Sequence, residues 1–261
     1  MFIVKNYLSG QIWLAGENGL MKSKIAILGA AGGIGRILTK MAIESHWQVI
    51  ALDLPETLAS HPPPSEVEVA EVDVFKPKSI EAAFAKLGKL DGFVNLAGFM
   101  SPHRPLAETP LEDFDEVVTG NLRGAFLSCN AALPLLRQRR GAIVNVASGL
   151  GAHARPGFGP YSAAKAGMIS LTKTLALEAA PDIRVNAIGP SAVNTAFLRG
   201  GEGRTETEAL PLDLDSIARA TPLGRLATPE DLAGPILFLL GKDAQFITGQ
   251  VLWINGGSYM P

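Results

Sequence analysis

Lys24-Ile-Ala-Ile-Leu28 runs directly into Gly29-Ala-Ala-Gly-Gly33-Ile-Gly35, and the architecture turns on these twelve residues. KIAIL is a short apolar run bounded by glycine, which reads as a buried strand. Residues 34–45 then read as an amphipathic helix. Glycines at such a strand-to-helix turn let the chain bend sharply and let backbone N–H groups approach a pyrophosphate at the helix N-terminus. Gly29, Gly33, Ile34 and Gly35 are therefore candidates for dinucleotide contact. Ordinary strand–helix turns also use glycine, and the spacing Gly-x3-Gly-x-Gly departs from the common dinucleotide fingerprint, so the pattern needs support elsewhere.

Working outward, five further apolar runs repeat the first: Gln48–Leu52, Gly92–Asn95, Ala142–Ala147, Arg184–Ile188 and Val251–Ile254. Glu66–Val72 alternates as EVEVAEV, the pattern of a strand near a sheet edge. Helical stretches are expected near 34–45, 78–87, 111–140, 160–180 and 230–240. Strands alternating with helices, and apolar almost throughout, imply a parallel sheet covered on both faces. The expected fold is α/β: one doubly wound, Rossmann-type domain with a seven-stranded, mostly parallel sheet. Ligands of such sheets bind beyond the carboxyl ends of the strands. His61–Ser65 (HPPPS) reads as a rigid surface connection and Gly200–Glu208 (GGEGRTETE) as a mobile flap.

Residues 1–22 are expected to be an N-terminal extension outside the core fold, the catalytic domain spanning 23–261. The apolar run near the start is broken by Lys5, Asn6, Ser9 and Gln11, unlike a secretory signal. An ordered arm packed on the surface is the alternative. A chain starting at Met21 is expected to fold and keep its activity.

The chain has 261 residues, 47% hydrophobic and 18% charged, enough for one large core without staples. A net charge of −2 gives no footprint for nucleic acid or anionic membrane. No stretch reaches the ~18 apolar residues of a membrane span. The single cysteine, Cys129, excludes an internal disulfide and suits a reducing cytoplasm. His46, His61, His103 and His153 lack metal-ligand spacing, so no metal is expected.

Support for the glycine turn comes from Asp53, 18 positions beyond Gly35 at the end of the second strand. An acid there can accept hydrogen bonds from adenosine ribose hydroxyls; alternatively it caps the turn before Pro55. Asp73-Val74 and Asn95-Leu-Ala-Gly98 also end strands, where adenine and its ribose would lie, though each fits simple turn chemistry.

Tyr161-Ser-Ala-Ala-Lys165 sets a phenol and an ammonium four residues apart, on one helix face. A phenol of pKa ~10 is a poor base at neutral pH, and a nearby positive charge is expected to lower that value. Ser148, 13 residues before Tyr161 and just past a strand, is placed to hold a substrate oxygen. Asn121 is a poor helix former inside a long expected helix, which hints at a task there.

These motifs, taken in order, resemble the classical short-chain dehydrogenase/reductase family. The likeness runs from about residue 23 to the end and rests on GAAGGIG, Asp73-Val74, NLAG, Asn121, Ser148, YSAAK, IGPSAVNT and the tail ITGQVLWINGG. Leu28, Leu96 and Ser191 depart from the family's usual Thr, Asn and Gly. The resemblance implies a Ser148–Tyr161–Lys165 triad extended by Asn121. Tyr161 would exchange the hydroxyl proton, Lys165 would hold the nicotinamide ribose, and Asn121 would keep a relay water. Pro190, Val193 and Thr195 would contact the nicotinamide end, and the assembly would be a homotetramer.

The cofactor expected is NAD in preference to NADP. ALDLPET offers no Lys or Arg for a 2′-phosphate, and Arg36 is expected to face solvent or the pyrophosphate side. The expected reaction is hydride transfer between NAD and a secondary alcohol or cyclic diol; an NADPH-linked ketone reductase, such as a 3-oxoacyl-carrier-protein reductase, is the alternative. A nucleotide-sensing protein on the same fold could dispense with Tyr161, Lys165 and Ser148. The substrate pocket is expected from Phe99–His103, Gly149–Phe158 and the flap after Thr195. Leu150, Pro156 and Phe158 would form its walls, and His153, Arg155 and Arg199 could reach a carboxylate.

Overall fold

The computed structural model describes residues 22–100, 102–199 and 212–260, with two short strands, β1 (Ile3–Lys5) and β2 (Ile12–Leu14). The expected flap at Gly200–Glu208 lies outside the described residues. β1 and β2 pair antiparallel with one another in a sheet of their own.

Lys24–Leu28 forms β3, and its side chains alternate between two cores. Ile25 and Ile27 join Val49, Ala51, Val94 and Val144 on one face of the sheet. Ala26 and Leu28 join Ile50, Leu52, Phe93 and Ile143 on the other. The remaining strands are β4 (Gln48–Asp53), β5 (Glu68–Glu71), β6 (Gly92–Asn95), β7 (Ala142–Val146), β8 (Arg184–Pro190) and β9 (Val251–Ile254). They assemble in the order β5-β4-β3-β6-β7-β8-β9, every pairing parallel. This is the doubly wound sheet the apolar runs imply. β5 is an edge strand, with Val69 half exposed, as its alternating sequence suggests.

Helices α1 (Gly33–Glu44) and α8 (Pro229–Leu240) cover the first core, through Leu38, Ala42, Leu232 and Ile236. The second is covered by α3 (Pro77–Phe84), α5 (Gly124–Arg137) and α6 (Gly159–Ala179), through Ile80, Phe84, Leu136 and Leu175. Among the described residues no helix is long and apolar enough to cross a membrane.

The helix expected over 111–140 is interrupted. It consists of α4 (Leu111–Val118), one π-helical turn at Thr119–Arg123, and α5. Periodicity does not reveal such a turn, because it inserts one residue without ending the helix. Two short helices, α2 (Pro55–Ser60) and α7 (Leu214–Ala220), lie where no helical period is legible in the residues.

Candidate active site

From β3 the chain proceeds outward to β4 and β5, then returns to β6 and proceeds outward on the other side. The carboxyl ends of β3 and β6 therefore diverge, opening the crevice where doubly wound sheets bind ligands. A cavity of about 360 Å³ occupies it, with Asp53, Thr57 and Asp73 at one end and Ser148, Tyr161, Phe158 and Tyr259 at the other.

The glycine turn forms one wall. Gly29 adopts φ +87°, a left-handed conformation suited to glycine, and its N–H donates to Leu52 O at 2.8 Å. A Cβ on Gly35 would overlap the Gly29 carbonyl, so glycine is required there for the helix to start so close to the strand. Gly33 faces the Thr195 methyl, which a Cβ would meet at 2.8 Å. Ile34, Pro190 and Val193 complete this side.

At the far end Asp53 accepts two backbone hydrogen bonds at 2.8 Å, from Ala31 N and Leu54 N, tying the glycine turn to β4. Arg36 is exposed, as expected, and its guanidinium donates to Ala31 O at 2.8 Å, folding back onto the turn that Asp53 holds. The Asp73 carboxylate is engaged in turn chemistry, accepting from Phe75 N at 2.9 Å and pairing with Lys76 Nζ at 2.8 Å. Asn95 lies behind the wall, its Oδ1 accepting from Ala97 N while its Nδ2 is buried without a partner among the described residues. Val74, Ala97 and Gly98 line the cavity itself.

At the near end, residues far apart in sequence converge. Ser148 ends the β7 segment and accepts from Leu150 N at 3.2 Å. Tyr161 and Lys165 share one face of α6, with Lys165 Nζ 5.5 Å from the centre of the Tyr161 ring and donating to Val146 O at 2.9 Å. Both are almost fully buried. Asn121 sits in the π turn behind them, donating from Nδ2 to Phe99 O at 2.9 Å and Val117 O at 3.0 Å. That leaves its buried Oδ1 without a partner among the described residues, facing Gly98, where any Cβ would overlap it.

The electrostatics differ from the expectation of a lowered phenol pKa. Burial pushes Tyr161 upward, and the Ser148 hydrogen bond pulls it only partly back. Burial also lowers Lys165 to about 7. Desolvation is the main cause for both groups.

The bare glycine wall fits a pyrophosphate, and Thr57 stands with it on the cavity lining. Fold and cleft thus define the class: a doubly wound nucleotide-binding protein with a Ser–Tyr–Lys cluster at the strands' carboxyl ends. A family profile described as enoyl-(acyl carrier protein) reductase matches residues 29–259. The chain is 35% identical over 252 residues to the 3-oxoacyl-(acyl-carrier-protein) reductase FabG of Thermotoga maritima, covering 91% of this chain and 98% of that one. It is 38% identical over 180 residues to 4-formylbenzenesulfonate dehydrogenase TsaC1/TsaC2 of Comamonas testosteroni, with 68% and 70% covered. A 3-ketoacyl-(acyl-carrier-protein) reductase from Brucella melitensis, solved with NADH, superposes with a TM-score of 0.81 at 29% identity, covering 91% of this chain and 98% of that one. The chain belongs to the classical short-chain dehydrogenase/reductase family of oxidoreductases, whose members bind nicotinamide cofactors.

The expected pocket walls are present in part. Phe99, Met100, Leu150, His153, Arg155 and Phe158 line the cavity, whereas Pro156 is exposed and His103 backs the Phe158 ring at 4.9 Å. The Arg199 side chain lies outside the described residues. Phe197 lines the cavity from the segment after Thr195, as expected, whereas reasoning from sequence missed Thr57, Ile217 and Tyr259, which reach it from three different segments. Only Tyr259 carried a signal, being one of three tyrosines.

Proposed function

We propose that this protein oxidises a secondary alcohol to the ketone with NAD, the carbinol losing a hydride to the cofactor and a proton to the enzyme. The observation that carries the reading is the buried Tyr161 hydroxyl, hydrogen-bonded to Ser148, beside Lys165 and at the end of a glycine-walled nucleotide cleft. When bound, the cofactor supplies the hydride acceptor and a positively charged ring.

Ser148 holds the substrate oxygen, and Tyr161 exchanges its proton. Lys165 orients the nicotinamide ribose and, as an ammonium, favours the phenolate. Asn121, anchored through Nδ2, presents Oδ1 toward the Lys165 side for a relay water. Gly29, Gly33, Ile34 and Gly35 cradle the pyrophosphate, Asp53 receives the adenosine ribose, and Asp73, Val74, Asn95, Ala97 and Gly98 flank adenine and ribose. Pro190, Val193 and Thr195 contact the nicotinamide end.

The likeness to 3-oxoacyl-carrier-protein reductases supports a second reading, NADPH-linked ketone reduction. The likeness to a dehydrogenase of 4-formylbenzenesulfonate favours a free small molecule instead. Alcohols, ketones and a carrier-protein thioester, each offered with NAD and NADP and followed at the reduced-cofactor absorbance band, separate the two. Tyr161→Phe should bind cofactor almost normally yet lose at least ~10²-fold in kcat. Retention of more than about a tenth of wild-type kcat would place the acid–base group elsewhere.

A further inference from the structure

Tyr259 stands at the substrate end of the cleft, and the chemistry above makes no use of it. A dedicated turn holds it there. Gly256 and Gly257 adopt φ +59° and +85°, Asn255 Nδ2 donates to Tyr259 O at 2.7 Å, and Asn255 Oδ1 accepts from Gly257 N at 3.0 Å. The ring then closes on the residue after Ser148: a Cβ on Gly149 would come within 3.0 Å of Tyr259 Cε1. His153 stacks on the ring at 5.6 Å and 15°, and Trp253 meets it edge-on at 5.1 Å. Rings packed on two sides and backbone anchored at both ends fix the phenol's direction.

The hydroxyl at the tip is buried, yet it has no hydrogen-bond partner among the described residues. Burial pushes Tyr259 up to about 12, so at neutral pH the group is a protonated donor. A buried donor without a partner is costly, and packing alone gives no reason to keep the oxygen, since phenylalanine would fill the same space. The surrounding lining is mostly apolar, with Leu150, Phe158, Phe197 and Ile217, and Ser148, His153 and Arg155 are among its polar members.

We propose that Tyr259 is a specificity-determining residue whose hydroxyl donates to a second oxygen of the substrate, making that substrate a vicinal diol or the matching hydroxyketone on an apolar frame. The assignment rests on the dehydrogenase reading. Gly149, the residue after Ser148, packs against the ring, so the phenol and the group that holds the reacting oxygen stand on adjoining parts of the cavity wall.

The experiment compares cyclohexane-1,2-diol (cis and trans) with cyclohexanol, using NAD and the full chain, for wild type and Tyr259→Phe. Wild type should favour one diol isomer by at least about tenfold in kcat/KM, because a site built around a hydroxyl discriminates against analogues lacking it. Tyr259→Phe should lower kcat/KM about ten- to a hundredfold for that diol and under about threefold for cyclohexanol, collapsing the preference. Calorimetric affinity for NAD should be unchanged, reporting an intact fold. Wild-type indifference to the second oxygen, or a parallel loss on both alcohols in Tyr259→Phe, overturns the assignment. Turnover confined to other alcohols but abolished in Tyr161→Phe overturns the diol class while leaving the dehydrogenase reading standing. Turnover that survives Tyr161→Phe brings down both.

Discussion

Lys165 carries an ammonium group into a place where water is nearly excluded, with one carbonyl, Val146 O, as its hydrogen-bond partner. Burial lowers its pKa from 10.5 to about 7. The folded protein therefore binds fewer protons than the unfolded chain between these values, so stability rises with pH across that window. Below about 7 both states are charged and the full cost of burial is felt. Lys165→Met removes this dependence. The wild type should gain on the order of 3 kcal/mol relative to the mutant between pH 7 and 9.5. Denaturant titrations at the two pH values check this, and parallel curves would show that the buried amine does not titrate there. Asp53 makes a second claim at this scale. A 2′-phosphate beside its carboxylate sets like charges close together, so NAD should exceed NADP in kcat/KM. Asp53→Ala should narrow that ratio by at least about tenfold, the loss of one like-charge contact. The nearby guanidinium of Arg36, folded onto Ala31 O, is the group that would welcome the phosphate once the carboxylate is gone. Equal use of both cofactors by the wild type would overturn the assignment.

The π turn between α4 and α5 is the element that brings Asn121 to the site. A regular helix would carry residue 121 to another azimuth; the widened turn lets Nδ2 reach both Val117 O and Phe99 O. Gly98 accommodates the result, because the strand that ends at Asn95 delivers its backbone directly against Asn121 Oδ1. Gly98→Ala should force the two elements apart, with an overpacking cost of ~1–3 kcal/mol seen as a lowered Tm. Since Lys165 Nζ lies 3.4 Å from the same Cβ position, kcat should fall at least about tenfold as well. Wild-type kcat and Tm in this variant would show that the close approach is without consequence.

Among the described residues, exposed apolar side chains include two groups on the faces of regular elements. One lies between the π turn and α6, where Val118, Leu122, Phe126 and Leu171 line a shallow groove and Phe126 is 47% exposed. The other flanks the edge strand β9, with Leu252 and Phe238 about two-fifths exposed. Two apolar patches on one chain produce a closed tetramer when each pairs with its own copy about a two-fold axis. A homotetramer is the expected assembly, and light scattering at micromolar concentration should return four times the chain mass. Phe126→Glu should reduce this to a dimer; a monomer mass for the wild type would exclude the assembly.

The sequence alone set out the alternation of strands and longer helices, the glycine turn and the Tyr161–Lys165 pair. Each of these is a local matter: apolar runs bounded by turn residues, a bend that excludes Cβ atoms, and two side chains one helical turn apart. It also placed Asp53 at a strand end, where the chain direction alone aims it at the crevice. Tertiary structure decided what depends on residues distant in sequence. The Tyr161 pKa moves up, against the expectation drawn from its charged neighbour, because desolvation depends on everything packed around the phenol. The π turn follows from where Phe99 O and Gly98 lie, which no periodicity encodes. Thr57 and Tyr259 enter the cavity from opposite ends of the chain because a parallel sheet brings all its carboxyl-end loops to one rim, whatever their separation along the sequence.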